Sequence, residues 1–297
     1  MKSDFKVSIV LGTYDRLPFL KLTIDSVRQE LDRCSFSHEI IVVDGGSSDG
    51  TLKWLAKQKD IVTVIQHNRG EWCGRPIERR SWGYFMNLGF KCAQGKYVCM
   101  LSDDCLVVPG AIKNGVARFE ERLEAGEKVG GVAFYWRNWP EQEHYRVGRT
   151  LGNRMFVNHG LYLNEVLREL GYCDEERYMF YHADGDLCLK MWERGHICID
   201  SPDSYIEHYS HANLAARSSN TEKQKNDETN YLNRWKGIFY DPENHYFGEW
   251  VEKSFYDNAV TAEKFKHADA FKWFFKMKAL ELRAIFKIAC NPKDDGR

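Results

Sequence analysis

The sequence predicts an α/β fold in which a mainly parallel sheet is flanked by helices. Three observations lead to this prediction. Short runs of β-branched residues alternate with segments of helical periodicity, the loops between them are rich in glycine and aspartate, and 297 residues suffice for one large α/β domain with an appendage or for two domains. Strands that alternate with helices form right-handed βαβ units, and such units build parallel sheets.

The elements of the N-terminal half follow from these patterns. Residues 6–12 (KVSIVLG) form a short β-branched run that predicts a strand, and the apolar spacing within 18–31 predicts the helix after it. Further strands are predicted at 40–43, 61–65 and 97–101, and further helices at 51–57 and 80–93.

The strand at 97–101 leads into two adjacent carboxylates, Asp103 and Asp104. Open parallel sheets bind ligands beyond the carboxyl ends of their strands, so both residues are candidates for chemistry. The alternative is that they only cap a turn or the helix that starts near Gly110.

A glycine-rich loop at residues 44–51 (DGGSSDGT) lies between a strand and a helix, where a phosphate-binding loop would be expected. It contains neither G-x-G-x-x-G nor a G-K-[ST] ending, so the dinucleotide and P-loop fingerprints are both absent. An aspartate at a strand end, fixed by a Gly-Gly turn, is suited to accept hydrogen bonds from a base or a ribose.

The charge balance and the cysteines limit the class of protein. With 42 basic and 43 acidic side chains, the chain has no global footprint for a nucleic-acid partner. Nine cysteines without a C-x-x-C spacing indicate free thiols in a reducing cytoplasm rather than disulfides or a zinc site. We expect a cytoplasmic protein that does not cross a bilayer, since no signal peptide precedes the first strand and no window has the roughly 18 apolar residues of a membrane span.

Three segments of the first hundred residues, in this order, resemble the successive signatures of the family-two inverting glycosyltransferases. They are residues 7–16 (VSIVLGTYDR), 39–51 (EIIVVDGGSSDGT) and 95–104 (GKYVCMLSDD). The resemblance implies the Rossmann-like GT-A fold and a nucleotide-sugar donor, with a family-level preference for uridine. It also implies that Thr13, Tyr14, Asp15 and Asp44 hold the nucleotide, with Arg75 as a further candidate.

The Asp-x-Asp motif of that family falls on Ser102, Asp103 and Asp104, so a serine replaces its first carboxylate. The resemblance implies that Asp104 coordinates a divalent metal, Mn²⁺ or Mg²⁺, with Asp103 near the ribose or a metal-bound water. A hard cation that keeps several waters tolerates a single protein carboxylate. His208 matches the family's metal or diphosphate histidine better by position than His211 does; the alternative is a solvated loop histidine.

Residues 175–190 (EERYMFYHADGDLCLK) resemble the family's acceptor-side segment, in which a Glu-Asp-x-Asp pattern carries the catalytic base. The base maps onto Asp184, and Ala183 stands where the family has Glu. The alternative is that Asp184 or Asp186 only caps the helix predicted at 187–194.

The resemblance implies transfer of a sugar to a hydroxyl of a saccharide or lipid-linked saccharide, in glycan biosynthesis. A single base fits such a transferase, because a metal stabilises the departing diphosphate, whereas a glycosidase needs two carboxylic groups around the bond. Two other hypotheses stay open: a nucleotidyltransferase, and a catalytically inactive nucleotide-sugar-binding scaffold, which the changes at Ser102 and Ala183 make conceivable.

We expect a catalytic domain at 1–217, with a donor half at about 1–110 and an acceptor half at 111–217, and a helical extension at 218–297. Residues 268–290 predict an amphipathic helix with a narrow basic stripe and a broad apolar face. That face would pack on the catalytic domain or on a partner chain, such as a second copy in a homo-oligomer. Alternatively it would bind the cytoplasmic membrane surface as a peripheral anchor, beside a lipid-linked acceptor. The stripe consists of Lys272, Lys276, Arg283 and Lys287.

Overall fold

The structure is a computed structural model, and it describes residues 5–68, 70–139, 142–209, 214–243 and 248–254, together with the single positions 275, 278, 279 and 282. Its helices pack on both faces of a mixed sheet, in agreement with the predicted α/β class. The elements of the donor half are β1 (Val7–Thr13), α1 (Leu17–Leu31), β2 (His38–Asp44), α2 (Thr51–Leu55), β3 (Ile61–Ile65), β4 (Glu71–Trp72), β5 (Arg75–Pro76), α3 (Trp82–Cys92), β6 (Tyr97–Ser102) and β7 (Cys105–Val107).

The remaining elements alternate less regularly. They are α4 (Ala111–Glu124), β8 (Val129–Asn138), β9 (Tyr145–Thr150), a 3₁₀ turn (Leu151–Asn153), β10 (Arg154–Met155), β11 (Gly160–Leu163), α5 (Asn164–Glu169), α6 (Ala183–Glu193), β12 (Ile197–His208), α7 (Leu214–Trp235) and β13 (Trp250–Lys253).

The main sheet runs in the order β10-β9-β8-β11-β6-β1-β2-β3. The strands β6, β1, β2 and β3 are mutually parallel, as the sequence predicts. The sheet then changes character, because β11 lies antiparallel between β6 and β8, and β12 pairs parallel with β8 but antiparallel with β7. The second half of the sheet is therefore mixed, which the predicted βαβ pattern does not foresee.

Alternation along the central strands builds a core on each face of the sheet. On one face Val10 and Ile41 pack with Phe90 of α3, and on the other Ile9 packs with Leu20 of α1; all five side chains are fully buried. Successive side chains of a strand point to opposite faces, so a run such as VSIVLGT contributes buried side chains to the core on each face of the sheet. Each such aliphatic side chain contributes about 1.5–3 kcal/mol by leaving water.

The parallel registers align the carboxyl ends of three strands. Thr13 at the end of β1 is paired with Asp44 at the end of β2, and Gly12 is paired with Ser102 at the end of β6. Because parallel strands end at the same edge of a sheet, the loops that follow them meet there. This places the residues 13–16, 44–49 and 102–104 next to one another.

The strand β3 forms one edge of the sheet. It pairs with β2, and among the described strands it has no second neighbour. Its Val62 and Ile65 side chains are 48% and 54% exposed.

The helix α7 packs against the loop that precedes α6. The predicted boundary at 217/218 falls inside α7, and the side chains of Asp227, Tyr231 and Trp235 are fully buried. Asp227 accepts hydrogen bonds from the backbone N–H groups of Met179 (2.8 Å), Phe180 (2.8 Å) and Tyr181 (2.9 Å). The helix thereby fixes the loop that leads into α6.

The region predicted as a helical extension also contributes a strand, because β13 pairs antiparallel with β9. Of the helix predicted at 268–290, the positions 275, 278, 279 and 282 are helical and the other residues lie outside the described part of the chain. Within the described part, no helix combines the length and the apolar character that a membrane span requires.

We expect Asp227→Ala to lower the free energy of unfolding by about 2–4 kcal/mol, because three backbone donors of one loop lose their acceptor and each buried unpaired donor costs ~1–3 kcal/mol. Urea unfolding followed by far-UV circular dichroism measures the change. Asn226→Ala, at the exposed neighbouring position of α7, is the control. Equal stabilities of the two variants would contradict the role given to Asp227.

Candidate functional site

Asp103 is held inside the protein through both of its carboxylate oxygens. Its Oδ2 accepts a hydrogen bond from Thr13 Oγ1 (2.8 Å), and its Oδ1 accepts one from Arg16 Nη1 (2.7 Å). The residue is buried, and burial raises its pKa although the Arg16 charge opposes this shift. Asp103 therefore acts as an anchor for the loop after β1.

Asp104 differs from Asp103 in having one oxygen left over. Its Oδ2 accepts a hydrogen bond from Arg16 Nη1 (3.0 Å). Its Oδ1 is buried and has no hydrogen-bond partner among the described residues, and His208 Nε2 lies 3.5 Å from it. Burial alone would raise the pKa of Asp104, but the charges of Arg16 and His208 outweigh burial and lower it to about 2. Asp104 is thus a permanent anion with an unused oxygen.

His208 presents a second ligand atom to the same space. Its Nδ1 lies 2.8 Å from Asn138 Oδ1, and because a carboxamide oxygen can only accept, Nδ1 carries the proton. When the ring is protonated, Nε2 donates towards Asp104 Oδ1, and its charge contributes to the lowered pKa of that aspartate. When the ring is neutral, Nε2 is an acceptor that faces Asp104 Oδ1, another acceptor, and this pair of acceptors suits the binding of a cation.

A buried network positions His208. The preceding residue, Glu207, receives two-pronged hydrogen bonds from Arg137 and a further one from Tyr145. All three side chains are buried, and β12 pairs here with both β8 and β7. Such paired and hydrogen-bonded buried charges hold the strand end in one geometry, because breaking any part would leave a charge unpaired.

The residues present fit a divalent cation of limited protein coordination. Among the described residues, no group of three or more His, Cys, Asp or Glu side chains has metal-binding geometry. A cation here would therefore take Asp104 and His208 as protein ligands and complete its shell with water and diphosphate oxygens, as Mg²⁺ and similar hard cations do. The alternative ligand His211 lies outside the described residues.

Ser102, which replaces the first carboxylate of the motif, pairs with His159 instead. The Oγ of Ser102 and the Sγ of Cys105 lie 3.2 and 3.3 Å from His159 Nε2. Burial lowers the pKa of His159 to about 3, so the ring is neutral. A neutral serine and histidine thus occupy the place where a third negative charge would crowd Asp103 and Asp104. No motif marks His159 in the sequence; it reaches the site because β11, which it precedes, runs beside β6.

The predicted nucleotide residues Asp15 and Asp44 form two interlocked turns. Asp44 Oδ1 accepts hydrogen bonds from the N–H groups of Gly46 and Ser47, both at 2.7 Å, while its buried Oδ2 has no hydrogen-bond partner among the described residues. Asp15, which has a left-handed backbone (φ 49°), accepts from Ser48 N (2.7 Å) and donates its own N–H to Ser47 Oγ (2.8 Å). Asp44 Oδ2 is the atom left for a ligand.

Tyr14 and Arg75 lie on different parts of the donor half. The ring of Tyr14 packs closely on Gly45, and a Cβ there would stand 3.0 Å from a ring carbon, so a larger residue would require the ring to shift. Arg75 is exposed on the β4–β5 hairpin. Asn68, which precedes the hairpin, donates its backbone N–H to Gly45 O (3.0 Å). Its side chain is hydrogen-bonded to the backbone of Arg80, which follows the hairpin. None of the described hydrogen bonds or ion pairs joins Arg75 to the other predicted donor residues.

Asp184, the predicted base, lies in the first turn of α6 and is partly exposed. Its Oδ2 accepts a hydrogen bond from Asn158 Nδ2 (3.2 Å), and its Oδ1 accepts one from Gly185 N (2.9 Å). Burial raises its pKa. The N-cap position belongs to His182, whose backbone is left-handed and whose ring stacks on Tyr231 at 4.8 Å, so Asp184 is not merely a cap.

Asp186 is a core residue, and its interpretation as a helix cap is wrong. It is buried inside α6, where its Oδ1 accepts hydrogen bonds from Tyr178 Oη (2.9 Å) and Trp235 Nε1 (3.0 Å). The side chain thus joins α6 to α7. The expected packing role of Trp235 agrees with its complete burial.

One loop connects the two groups of predicted site residues. Asn158 contacts Asp184, and the next residue, His159, contacts Ser102 and lies 5.5 Å from the ring of His208 between centroids. The Cα atoms of adjacent residues are only about 3.8 Å apart. The predicted base and the Asp104–His208 pair therefore lie near two consecutive residues, Asn158 and His159.

A comparison with models of protein families shows which family this chain belongs to. The model of glycosyl transferase family 2 matches residues 8–175, more than half of the chain. The chain belongs to this family. The match contains Asp103 and Asp104 and ends before Asp184.

Three similar proteins have low sequence identity to this chain. The uncharacterized glycosyltransferase YwdF of Bacillus subtilis is 27% identical over 194 residues, which are 60% of this chain and 66% of that protein. The uncharacterized protein y4gI of Sinorhizobium fredii is 22% identical over 263 residues, and the uncharacterized glycosyltransferase RC0461 of Rickettsia conorii is 28% identical over 122 residues. The chain spans 27% of the length of y4gI and 18% of that of RC0461.

Solved structures of similar fold confirm the predicted GT-A type. The mannosyltransferase PcManGT of Pyrobaculum calidifontis, in complex with GDP-Man and Mn²⁺, is 18% identical with a TM-score of 0.54, over 77% of this chain and 64% of that one. TarS of S. aureus (residues 1–349), in complex with UDP-GlcNAc, is 17% identical with a TM-score of 0.54, over 77% of this chain and 67% of that one.

We expect Asp104→Ala to abolish Mn²⁺ binding and metal-dependent transfer, because it removes the carboxylate with the unused oxygen. Asp103→Ala should instead weaken donor binding with a smaller loss of rate, because both Asp103 oxygens face the protein. Calorimetric titration with Mn²⁺ and release of nucleoside diphosphate from a donor measure the two effects. An Asp104→Ala protein with the metal response of the wild type would show that the cation binds elsewhere.

Proposed function

We propose that this protein transfers a sugar from a nucleoside diphosphate sugar, with a UDP-sugar favoured, to a hydroxyl group of a saccharide or lipid-linked saccharide, with inversion, in glycan biosynthesis. The observation that carries the proposal is the contrast between two aspartates of one site. The pKa of Asp104 is lowered to about 2, whereas that of Asp184 is raised. Carboxylates whose environments separate their pKa values in this way are suited to different roles, here an anionic ligand and a proton acceptor.

The donor would bind at the meeting point of the loops after β1, β2 and β6. Asp44 Oδ2 would accept a hydrogen bond from the base or ribose, within the turn that Thr13, Tyr14 and Asp15 complete. Asp104 and His208 would hold a divalent cation, which supplies neutralisation of the charge that gathers on the departing diphosphate. The nucleotide sugars bound to PcManGT and TarS, and the Mn²⁺ bound to PcManGT, support this assignment.

The acceptor would bind beside α6, where Asp184 removes the proton of the attacking hydroxyl. Its partial exposure gives that hydroxyl access, and the hydrogen bond from Asn158 fixes the direction of its carboxylate. If Asp184 acts as a base rather than as a nucleophile, the reaction is a single displacement, and a single displacement inverts the anomeric carbon. No residue on the leaving side has to donate a proton if the cation carries the charge.

We expect Asp184→Asn to bind the donor but to lose transfer by about a hundred- to ten-thousand-fold, the usual share of general-base catalysis. A base acts in its deprotonated form, and the pKa of Asp184 is raised, so the wild-type rate should fall as the pH drops through that raised value. The variant should lack this acidic limb. Release of nucleoside diphosphate as a function of pH, with or without acceptor, measures both effects.

Asp203→Asn, at an exposed carboxylate of β12, is the control for that experiment. Near-normal turnover of Asp184→Asn would mean that another group is the base. A wild-type protein that binds nucleotide sugars but releases no nucleoside diphosphate would be a binding scaffold rather than a transferase.

A lipid-linked acceptor is favoured by the described part of the C-terminal helix. Lys278 Nζ lies 5.1 Å from the centre of the Tyr209 ring, and Tyr209 N donates to Asp104 O (2.9 Å), so this helix reaches the rim of the site. On the same helical face Phe275 and Leu282 are 62% and 55% exposed. Exposed apolar side chains on a helix that carries Lys278 suit an interfacial helix on a membrane with anionic headgroups.

We expect the double variant Phe275→Ser/Leu282→Ser to lose flotation with liposomes that contain anionic lipid, because the exposed apolar side chains no longer enter the acyl region. Flotation at low salt measures binding, and Ile238→Ser, at a similarly exposed position (54%) outside this helix, is the control. The membrane role fails if the wild type does not float or if the double variant floats equally well.

A further inference from the structure

Arg16 is the only described cation that the structure places between Asp103 and Asp104. It is the N-cap residue of α1, and its side chain is 22% exposed at the rim of the site. A single nitrogen, Nη1, donates to both carboxylates, at 2.7 and 3.0 Å. The two bonds leave the Nε and Nη2 donors out of the contact with this pair.

The charges of the cluster show what Arg16 does in the absence of ligands. Two buried carboxylates without a counter-cation are strongly unfavourable, and Arg16 supplies one positive charge against their two negative ones. One oxygen of Asp104 accepts the hydrogen bond from Arg16, and the other oxygen faces His208. A divalent cation at that second oxygen would lie on the same carboxylate as the guanidinium, and the two cations would repel each other.

We propose that Arg16 couples the binding of the divalent cation to that of the diphosphate. In the nucleotide-free protein Arg16 weakens cation binding by sharing Asp104. When the diphosphate arrives, Arg16 leaves Asp104 for the phosphate oxygens, and the freed carboxylate binds the cation more tightly. This inference rests on the proposed function, since it assigns a diphosphate to the site.

The surroundings of Arg16 permit such an exchange. Thr13 holds Asp103 Oδ2 independently of Arg16, so Asp103 stays in place when the guanidinium turns. The Arg16 side chain is 22% exposed, so it is not sealed inside the protein. A planar guanidinium with several donors matches two phosphate oxygens at once, which an ammonium group cannot do. Arg16 is therefore a positioning residue for the cation and a direct ligand of the diphosphate.

The test is a pair of titrations on Arg16→Gln, one with Mn²⁺ alone and one with UDP or GDP without metal. The variant should bind Mn²⁺ at least tenfold more tightly, because even with the dielectric constant of water a guanidinium and a divalent ion about 5 Å apart repel by more than a factor of ten in affinity. It should bind the nucleotide at least about tenfold more weakly. Electron paramagnetic resonance of free Mn²⁺ and calorimetry measure the two affinities.

The opposite signs separate this role from mere structural damage, because a distorted site would lose both ligands. Arg28→Gln is the matched control: Arg28 lies on the same helix, and its Nη2 pairs with Asp60 Oδ1 at 2.7 Å, in a separate ion pair that shares no residue with the site. It should leave both affinities unchanged. If Arg16→Gln binds Mn²⁺ no more tightly than the wild type, or if both ligands bind more weakly, the inference is overturned.

Folding and function are checked separately. If Arg16→Gln folds only when Mn²⁺ is present, the cation has replaced the lost guanidinium, which supports the inference. If it folds under neither condition, Arg16→Lys decides: a lysine cannot span the pair in the same way, so its Mn²⁺ affinity should rise at least about threefold, and an unchanged affinity overturns the inference. If the wild type turns over a donor but Arg16→Gln leaves the Mn²⁺ affinity unchanged, the inference fails and the proposed function stands. If Arg16→Gln shifts the Mn²⁺ and nucleotide affinities in opposite directions but the wild type turns over no donor, only the proposed transferase activity is refuted.

Discussion

The parallel pairing of β1 with its two neighbours is the constraint on which the site depends. The register sets Thr13 beside Asp44 and Gly12 beside Ser102, so three loops that are far apart in sequence end at one edge. The hydrogen bond from Thr13 to Asp103 and the bonds from Arg16 to both carboxylates can form only in this register. A slip by one residue would turn every side chain of β1 to the other face, and it would lose both the core and the site.

The sequence predicts most strands and helices of the first hundred residues, because the patterns that specify them are local. The β-branched runs, the loop glycines and the strand-end aspartates are each recognisable within about ten residues, and the strand predicted at 61–65 has the observed bounds. Asp104 and His208, which the sequence names as candidates for one metal site, lie next to each other, with His208 Nε2 3.5 Å from Asp104 Oδ1. The catalytic and ligand roles of these residues stay predictions.

The rest of the site could not be predicted from local patterns. Arg16, His159 and Asp227 matter through partners between about 40 and 90 residues away, and their own surroundings contain nothing unusual. The boundary predicted at 217/218 falls inside α7, because the polar stretch at 218–225 is part of this helix and the buried side chains of α7 follow it. The mixed half of the sheet likewise depends on long-range pairing.

The contacts of α7 have a consequence for the order in which the molecule is completed. The donor loops are contained in the first 104 residues, but the loop before Asp184 is held by a carboxylate at position 227 and α6 is held by an indole at 235. During synthesis the N-terminal part leaves the ribosome first. A nascent chain therefore carries the loops after β1, β2 and β6 while the loop before Asp184 is still unsupported, and that loop is fixed only after α7 has emerged.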